Sequence, residues 1–400
     1  MLRGLGARGV VADGMTAVFP STTWPTHVSL VTGVTPARHG VVANHILNRA
    51  TRRAEDLTGD PIYDADALLT APTVYDRAKA AGLSVAAIDW PATRHAPSLA
   101  FNLPFFKDQH VFETQTARAV WDELAAAGFP MASQGEWALL PKRFMKDTMV
   151  ADVASHVVAR HAPDMLLVHF LCADSHQHLY GPRSAEAYWA LEHIDACIGR
   201  LLNGFPPALR RRTAVCVVSD HGFLPVERDI RPNVRLKRLA AVRGDGAVGF
   251  SGEACFVANS GAGSLYALDG DPRALDMLAG EIARMEGVAA MWPRERFREV
   301  GLPSEHRMLP DVIFEAKPGY QFSDETAGEE ENGAPKYRGT HGQRPDTPGN
   351  LAFFLASGVG VAQDAKLACI ESRDVAPTLA AMLGIPMPDV EGRPLTEILA

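Results

Sequence analysis

The segment Val215-Cys216-Val217-Val218-Ser219-Asp220-His221-Gly222 is the clearest indication of the fold class. An apolar run rich in β-branched residues ends in a carboxylate, an imidazole and a glycine. Such runs are typical of strands that are buried on both faces of a parallel sheet. Polar residues at the carboxyl end of such a strand lie where open α/β sheets carry their chemistry. Asp220 and His221 are therefore candidate metal ligands, although a solvated turn explains this stretch alone equally well.

Strand-like and helix-like segments alternate outward from this stretch, which predicts an α/β fold with a mainly parallel central sheet sandwiched by helices. The pattern predicts strands at 83–89, 165–172, 215–219 and 351–356, and helices at 73–81, 184–202 and 373–383. Two segments, 101–147 and 225–335, break the alternation. We predict a single domain over 1–400 in which these two segments are insertions that cap or flank the active edge of the sheet.

Composition narrows the class of protein. The chain has 400 residues and a formal net charge of -8, which argues against binding to nucleic acid or to anionic membranes. An anionic substrate would need local positive charge, and a bound metal is one source. The five cysteines form no C-x-x-C pair, and no apolar run is long enough to span a bilayer. With no secretory signal at Met1, the expected location is the cytoplasm.

Two further clusters carry residues that can bind metal. Asp174 and His178 follow the second predicted strand and stand four apart, so one turn can direct both at a single ion. His341 lies in Gly339-Thr340-His341-Gly342, where glycines let the backbone approach a crowded site. A glycine-flanked histidine is usually only a loop residue, so the interpretation of His341 as a metal ligand depends on the other clusters.

A turn rich in hydroxyl groups precedes a predicted helix. It reads Phe19-Pro20-Ser21-Thr22-Thr23-Trp24-Pro25-Thr26-His27. A hydroxyl at a helix N-terminus lies beside exposed N–H groups and the positive end of the helix dipole, which favours phosphate. The competing interpretation is a plain N-cap.

Together these residues resemble the alkaline phosphatase superfamily, and within it the nucleotide pyrophosphatase/phosphodiesterase branch. The resemblance extends from about Leu5 to the end of the chain. It rests on the turn at 19–27 with Thr32-Gly33 and His39-Gly40, on Asp174-x3-His178-x2-Gly181-Pro182, on Ser219-Asp220-His221-Gly222, on Gly339-Thr340-His341-Gly342, and on the tail from Asp374 to Gly392.

The resemblance implies a role for each residue. Thr23 would be the nucleophile, giving a phosphothreonine intermediate that water then hydrolyses. Two zinc ions, with Mn or Fe as alternatives, would be held by Asp174, His178 and His341 at the first site and by Asp220, His221 and Thr23 at the second. Metal activation suits the chemistry, because a threonine hydroxyl is a weak nucleophile and no Lys or His base is evident in sequence.

The chain departs from the family pattern at two places. Thr26 stands where the branch usually has an asparagine that binds a phosphoryl oxygen, and either the Thr26 hydroxyl or its backbone N–H is expected to donate that hydrogen bond instead. The family's first strand, which ends in an Asp that completes the second metal site, has no counterpart before Thr23. Asp13 is expected to be a turn residue. The first strand and one ligand are therefore expected to be missing, through a misplaced start or a truncation.

Three functions follow from these expectations. The first is hydrolysis of a small phosphoric diester or pyrophosphate, because no arginine in the local sequence is placed to hold a monoester dianion; Trp24 could pack on the leaving group or belong to the core. The second is a catalytically impaired metal- or ligand-binding protein. The third is a phosphonate or phosphomonoester hydrolase on the same scaffold. The sequence makes no prediction of oligomeric state.

Overall fold

The computed structural model describes residues 1–58, 63–269, 271–363 and 365–400. The α-helices are Leu2–Gly6, Thr23–Thr32, Pro36–His39, Ala65–Leu68, Val74–Ala80, Gln109–Gln115, Arg118–Ala126, Gln134–Trp137, Arg143–His161, Cys172–Tyr180, Ala185–Gly204, Pro207–Arg210, Pro232–Arg238, Pro272–Ala283 and Val375–Leu383. Short 3-10 turns are Met131–Ser133, Leu140–Lys142, Arg294–Val300, Ser372–Asp374 and Thr396–Ile398. The strands are Gly9–Val11, Met15–Thr16, His45–Asn48, Arg53–Asp56, Val85–Ile88, Phe101–Leu103, Met165–Val168, Ala214–Val218, Leu224–Ile230, Val242–Asp245, Gly249–Gly252, Ala254–Asn259, Ala262–Ala267, Val288–Pro293, Val312–Ala316, Gly319–Phe322, Asn332–Gly333, Gly339–Thr340, Phe354–Gly358 and Ile370–Glu371.

The predicted helices and strands are present with small shifts at their ends. Thr73 begins the helix Val74–Ala80 with a capping box formed with Asp76, and Ser184 caps the helix Ala185–Gly204. The strand predicted at 165–172 is shorter than expected, because it ends at Val168 and the helix Cys172–Tyr180 begins soon after. The predicted α/β class is confirmed.

The strands of the central layer form two three-stranded sheets. In the first, Val85–Ile88 lies between Phe101–Leu103 and Met165–Val168, and all are parallel. In the second, Phe354–Gly358 lies between Gly9–Val11 and Ala214–Val218 and is antiparallel to both. The apolar pattern of 351–356 could not indicate this direction, since a strand buried on both faces has the same composition in either orientation.

The two sheets lie edge to edge, with a gap between them. Met165–Val168 is the edge of one sheet and Ala214–Val218 is the edge of the other, and no strand of the described residues lies between them. Both strands lead at their carboxyl ends into the residues of the candidate site, so they run in the same direction.

The two segments predicted as insertions differ in character. The first begins with Phe101–Leu103, which pairs in the central layer, so this part belongs to the sheet and not to a cap. The second contains its own four-stranded sheet, in the order Ala254–Asn259, Ala262–Ala267, Val312–Ala316 and Val288–Pro293. Its core includes Phe256, Leu265, Ile282 and Phe314, all fully buried.

None of the helices in the described residues combines the length and the apolar character that crossing a bilayer requires.

Candidate active site

Thr23 occupies the first position of the helix Thr23–Thr32. The side chain of Thr22, the N-cap residue, makes no cap hydrogen bond. Asn44 takes over this function, since its Oδ1 accepts the Trp24 backbone N–H at 2.8 Å. The amide Nδ2 of Asn44 then points to the Thr23 hydroxyl at 3.4 Å. A single side chain therefore caps the helix and places a hydrogen-bond donor beside Thr23.

Asp174, His178 and His341 form the first carboxylate–imidazole group. Asp174 Oδ1 lies 3.3 Å from His178 Nε2 and 3.8 Å from His341 Nε2. The opposite ring nitrogens contact backbone carbonyls, with His178 Nδ1 at 2.9 Å from the oxygen of Gly339 and His341 Nδ1 at 2.9 Å from that of Ser21. These contacts direct both Nε2 atoms toward the carboxylate, an orientation that suits metal ligation.

Asp220 and His221 form the second group, together with a histidine from the helix Thr23–Thr32. Asp220 Oδ2 lies 3.3 Å from His221 Nε2 and 3.5 Å from His27 Nδ1. The ring of His169 lies next to that of His27, with centroids 4.5 Å apart. The two groups adjoin, because the rings of His221 and His341 stack with centroids 3.5 Å apart.

The ligand atoms converge closely enough to share an ion. One ligand atom each from Asp174, His221 and His341 lies within 4.8 Å of the others. Within the described part of the chain, Asp174 Oδ1 and His221 Nε2 are buried and make no hydrogen bond, although His178 Nε2 and Asp220 Oδ2 lie 3.3 Å from them. Buried polar atoms without a hydrogen bond are costly, so these two atoms are candidates for binding a ligand.

The protonation states of the carboxylate and the imidazoles in the site are those that bind metal. Burial would raise the pKa of Asp174, but His178, His341 and a neighbouring guanidinium together hold this pKa below its ordinary value. Burial lowers the pKa of His341 well below its ordinary value, and burial lowers that of His169 to about 3. The carboxylate is therefore ionised and these imidazoles are neutral near pH 7, the forms that bind metal.

A cavity of about 1900 Å³ opens from these groups and is bordered by cations. Arg143, Lys107 and Lys336 line it. Arg143 contacts Asp174 Oδ2 at 3.3 Å, and Lys107 pairs with Asp56 at 2.6 Å. Because Arg143 and Lys107 are each paired with a carboxylate, they offset negative charge around the cavity in a protein of net charge -8.

The structure brings Thr23, Asp174, His178, Asp220, His221 and His341 together around one cavity. It does not bring Thr26 there: the Thr26 side chain is fully buried and does not line the cavity, and the amide of Asn44 lies beside the Thr23 hydroxyl instead. Trp24 borders the cavity but is buried in a core cluster with Phe19 and Val28, which favours core packing.

Sequence reasoning missed Asn44, His27, His169 and Arg143. His27 stands four residues after Thr23 on the same helix, a spacing that could have indicated it. His169 directly follows the strand Met165–Val168 and could have been found by the same strand-end rule that identified Asp220. Asn44 and Arg143 reach the site only through tertiary folding, and no local pattern marks them.

Comparison with known proteins places the chain in a family. A family model for type I phosphodiesterase / nucleotide pyrophosphatase matches residues 1–344. The human ectonucleotide pyrophosphatase/phosphodiesterase family member 1 is 25% identical over 216 residues, which cover 54% of this chain and 20% of that protein. Venom phosphodiesterase 2 of Crotalus adamanteus is 23% identical over 228 residues, 55% of this chain and 24% of that protein. The matched region thus spans about a quarter or less of these curated relatives.

Solved structures show the same fold. The murine ectonucleotide pyrophosphatase / phosphodiesterase 5 superposes with a TM-score of 0.72 at 18% identity, covering 100% of this chain and 94% of that one. A second structure of the same murine protein, an inactive threonine-to-alanine variant in complex with AMP, also gives a TM-score of 0.72 at 18% identity and covers 93% of that chain. With the family model matching most of its length, the chain belongs to the type I phosphodiesterase / nucleotide pyrophosphatase family.

Proposed function

We propose that this protein hydrolyses small phosphoric diesters or pyrophosphates through a phosphothreonine intermediate on Thr23, at a site that holds two zinc ions. The observation that carries the proposal is the position of the Thr23 hydroxyl, at a helix N-terminus and 3.4 Å from the Asn44 amide. It borders the same cavity as two carboxylate–imidazole groups.

The residues fit a pair of divalent ions. Asp174, His178 and His341 would hold one, and Asp220 and His221 with the Thr23 oxygen would hold the other; all donors are nitrogen or oxygen, as zinc accepts. Asp174 Oδ1 and His221 Nε2, which are buried without a hydrogen bond among the described residues, support this assignment. When bound, the ions supply Lewis acidity that lowers the pKa of the Thr23 hydroxyl and neutralises charge on the leaving oxygen.

The side chains of the chain itself bind and orient the substrate. The Thr23 oxygen would attack phosphorus in line, forming the Thr23 ester as the leaving group departs, and water would later hydrolyse this ester. The Asn44 amide would donate to a phosphoryl oxygen, and the helix N-terminus would stabilise the negative charge. The Asn44 bond to the Trp24 N–H fixes the amide orientation before substrate arrives.

A diester or pyrophosphate suits the site better than a monoester dianion. Two arginines line the cavity. Arg212 lies at the amino end of the strand Ala214–Val218, away from the site, whereas Arg143 contacts Asp174 Oδ2 and donates a hydrogen bond to the Ala138 carbonyl oxygen at 3.2 Å. Arg143 is therefore the arginine beside the candidate ligands. Because of these two contacts, it is not free to hold a second anionic oxygen. The AMP complex described for the murine relative supports a nucleotide-sized substrate.

Thr23→Ala tests the mechanism. With zinc-loaded protein and an aryl phosphodiester substrate, we expect kcat/KM to fall by about 10³-fold or more, because the attacking oxygen is lost. Thr51→Ala, at an exposed hairpin threonine, should leave turnover unchanged. Acid-quenched wild-type protein should also yield a peptide with phosphate on Thr23. A loss of less than about tenfold in Thr23→Ala would overturn the nucleophile assignment.

One observation favours the alternative of a catalytically impaired metal-binding protein. The second group contains a single carboxylate, Asp220, and lies at the end of the gap between the sheets. A site short of one ligand binds zinc weakly.

Zinc titration of chelator-treated protein distinguishes the two functions. Two ions per chain, with turnover appearing as the second binds, support catalysis. One ion per chain together with no turnover supports the impaired form.

A further inference from the structure

The gap between the two central sheets is a slot with a strand edge on each side. The strands Met165–Val168 and Ala214–Val218 are the outermost strands of their sheets, and every residue of both lines the same cavity of about 1900 Å³. The backbone groups on the facing sides of these edges have no ladder partner among the described strands. Unpaired edges of this kind are templates for another strand.

The slot has two apolar faces that continue from one sheet to the other. On one face, Leu167 and Cys216 pack in the same cluster as Val375 and Leu379. On the other face, Leu166 and Val217 belong to neighbouring clusters that both include Leu202. The apolar packing on each face of the slot therefore already extends from one edge strand to the other.

One of the two edge strands, Ala214–Val218, is more exposed than the inner strand Val85–Ile88, whereas in the other edge strand Met165 and Leu167 are buried. All residues of Ala214–Val218 are only half-buried, although each is apolar. All residues of Val85–Ile88, which has a partner on both sides, are buried. The apolar surface left open by Ala214–Val218 is the surface that a neighbouring strand would cover.

We propose that this slot binds one extended apolar peptide strand, which would hydrogen-bond to both edges and join the two sheets into one. Backbone pairing requires a peptide, because an acyl chain offers no N–H or C=O groups to the edges. The side chains should be apolar and β-branched on both faces, since neither edge strand carries a charged side chain. The proposal concerns the sheet and does not depend on the proposed hydrolase function.

The slot leads to the candidate site. The edge strands end next to His169 and Asp220, and both of these residues line the cavity. A strand that ran parallel to the two edges would therefore end beside the second carboxylate–imidazole group. Binding of the peptide would be detected as slower amide exchange in the two edge strands. Any change in zinc affinity or turnover would be a separate result.

Hydrogen exchange with a synthetic peptide tests the proposal. The probe is a Val/Ile-rich heptapeptide with a lysine at each end for solubility, added to the full chain. We expect one peptide per chain, and amide exchange at least about tenfold slower in both Met165–Val168 and Ala214–Val218, with Val85–Ile88 unchanged. The control peptide carries proline at two central positions, which removes N–H donors, and should give no protection.

Substitutions in the chain provide a matched control. Val217→Asp places a charge in the slot and should weaken peptide binding by about tenfold or more, whereas Val248→Asp, at an exposed turn, should not. If Val217→Asp does not fold, the comparison of the Val/Ile-rich peptide with the proline peptide on the wild-type chain still tests the proposal. Protection of one edge only, equal protection by the proline peptide, or a dimer that protects both edges without peptide would overturn the proposal.

Discussion

The side-chain amide of Asn44 both caps the helix Thr23–Thr32 and contacts the Thr23 hydroxyl. Its oxygen accepts the Trp24 N–H, and its nitrogen faces the Thr23 hydroxyl. Pro25, two residues after Thr23, has no N–H to satisfy, so the helix start needs few cap bonds. The hydroxyl of Thr23 is thus held at the helix N-terminus by a residue twenty-one positions away in sequence.

Replacing Asn44 with Asp separates the two roles of this amide. The carboxylate keeps the acceptor for Trp24 but loses the donor and adds negative charge beside the substrate, so we expect kcat to fall about hundredfold with little change in Tm. Asn44→Ala should lose activity and also about 1 kcal/mol of stability, because the cap is lost. Asn203→Asp, on the surface, is the matched control. Turnover in Asn44→Asp within about threefold of wild type would contradict the donor role.

Prediction from sequence succeeded for side chains that follow strands and failed for those that tertiary folding delivers. Asp220 and His221 lie just past the end of the strand Ala214–Val218, and Asp174 lies in the first turn of the helix that follows the strand Met165–Val168; all three line the cavity. Arg143 belongs to a long helix whose sequence gives no sign that its first residue contacts Asp174. Their roles in binding metal or substrate stay predictions.

At the scale of elements, the helix Cys172–Tyr180 is positioned by a carboxylate from another helix. Asp147, in the helix Arg143–His161, accepts the backbone N–H groups of Leu171 and Cys172, each at 2.8 Å. These groups lie at the N-terminus of the helix that carries Asp174 and His178. This interhelical cap accounts for the early end of the strand Met165–Val168, which the apolar sequence of 165–172 could not reveal.

Asp147 also predicts a pH dependence of stability. Burial raises its pKa from the ordinary 3.8 to about 7, although the two N–H groups oppose this shift. The folded state therefore keeps a proton that the unfolded chain releases, so this contribution is full below about pH 4 and is lost as the pH rises to about 7. The loss amounts to about 4 kcal/mol at most.

Urea unfolding at pH 4.5 and pH 7 measures this contribution. The free energy of unfolding of the wild type, taken relative to Asp147→Asn, should decrease by a few kcal/mol between these values, while the exposed Asp122→Asn should follow the wild type. Parallel pH profiles for the wild type and Asp147→Asn would show that Asp147 does not titrate in this window.

For the molecule as a whole, the central layer is divided and the second insertion has its own core. Among the described residues, the slot between Met165–Val168 and Ala214–Val218 separates the two sheets of this layer. The four-stranded sheet within 225–335 was not predictable, because its short strands are interspersed with charged residues and no regular periodicity marks them.

The divided sheet predicts an unusual order of amide exchange in the chain without added peptide. Among the described strands, Phe354–Gly358 has a partner on both sides, whereas Ala214–Val218 in the same sheet has a partner on one side only. Amides of Ala214–Val218 that face the slot can exchange without opening the ladder, so the fastest of them should exchange at least about tenfold faster than the slowest of Phe354–Gly358. The same contrast is expected between Met165–Val168 and Val85–Ile88. Mass spectrometry or NMR of the full chain gives these rates directly, and equal protection across each pair would mean that the slot is closed in solution.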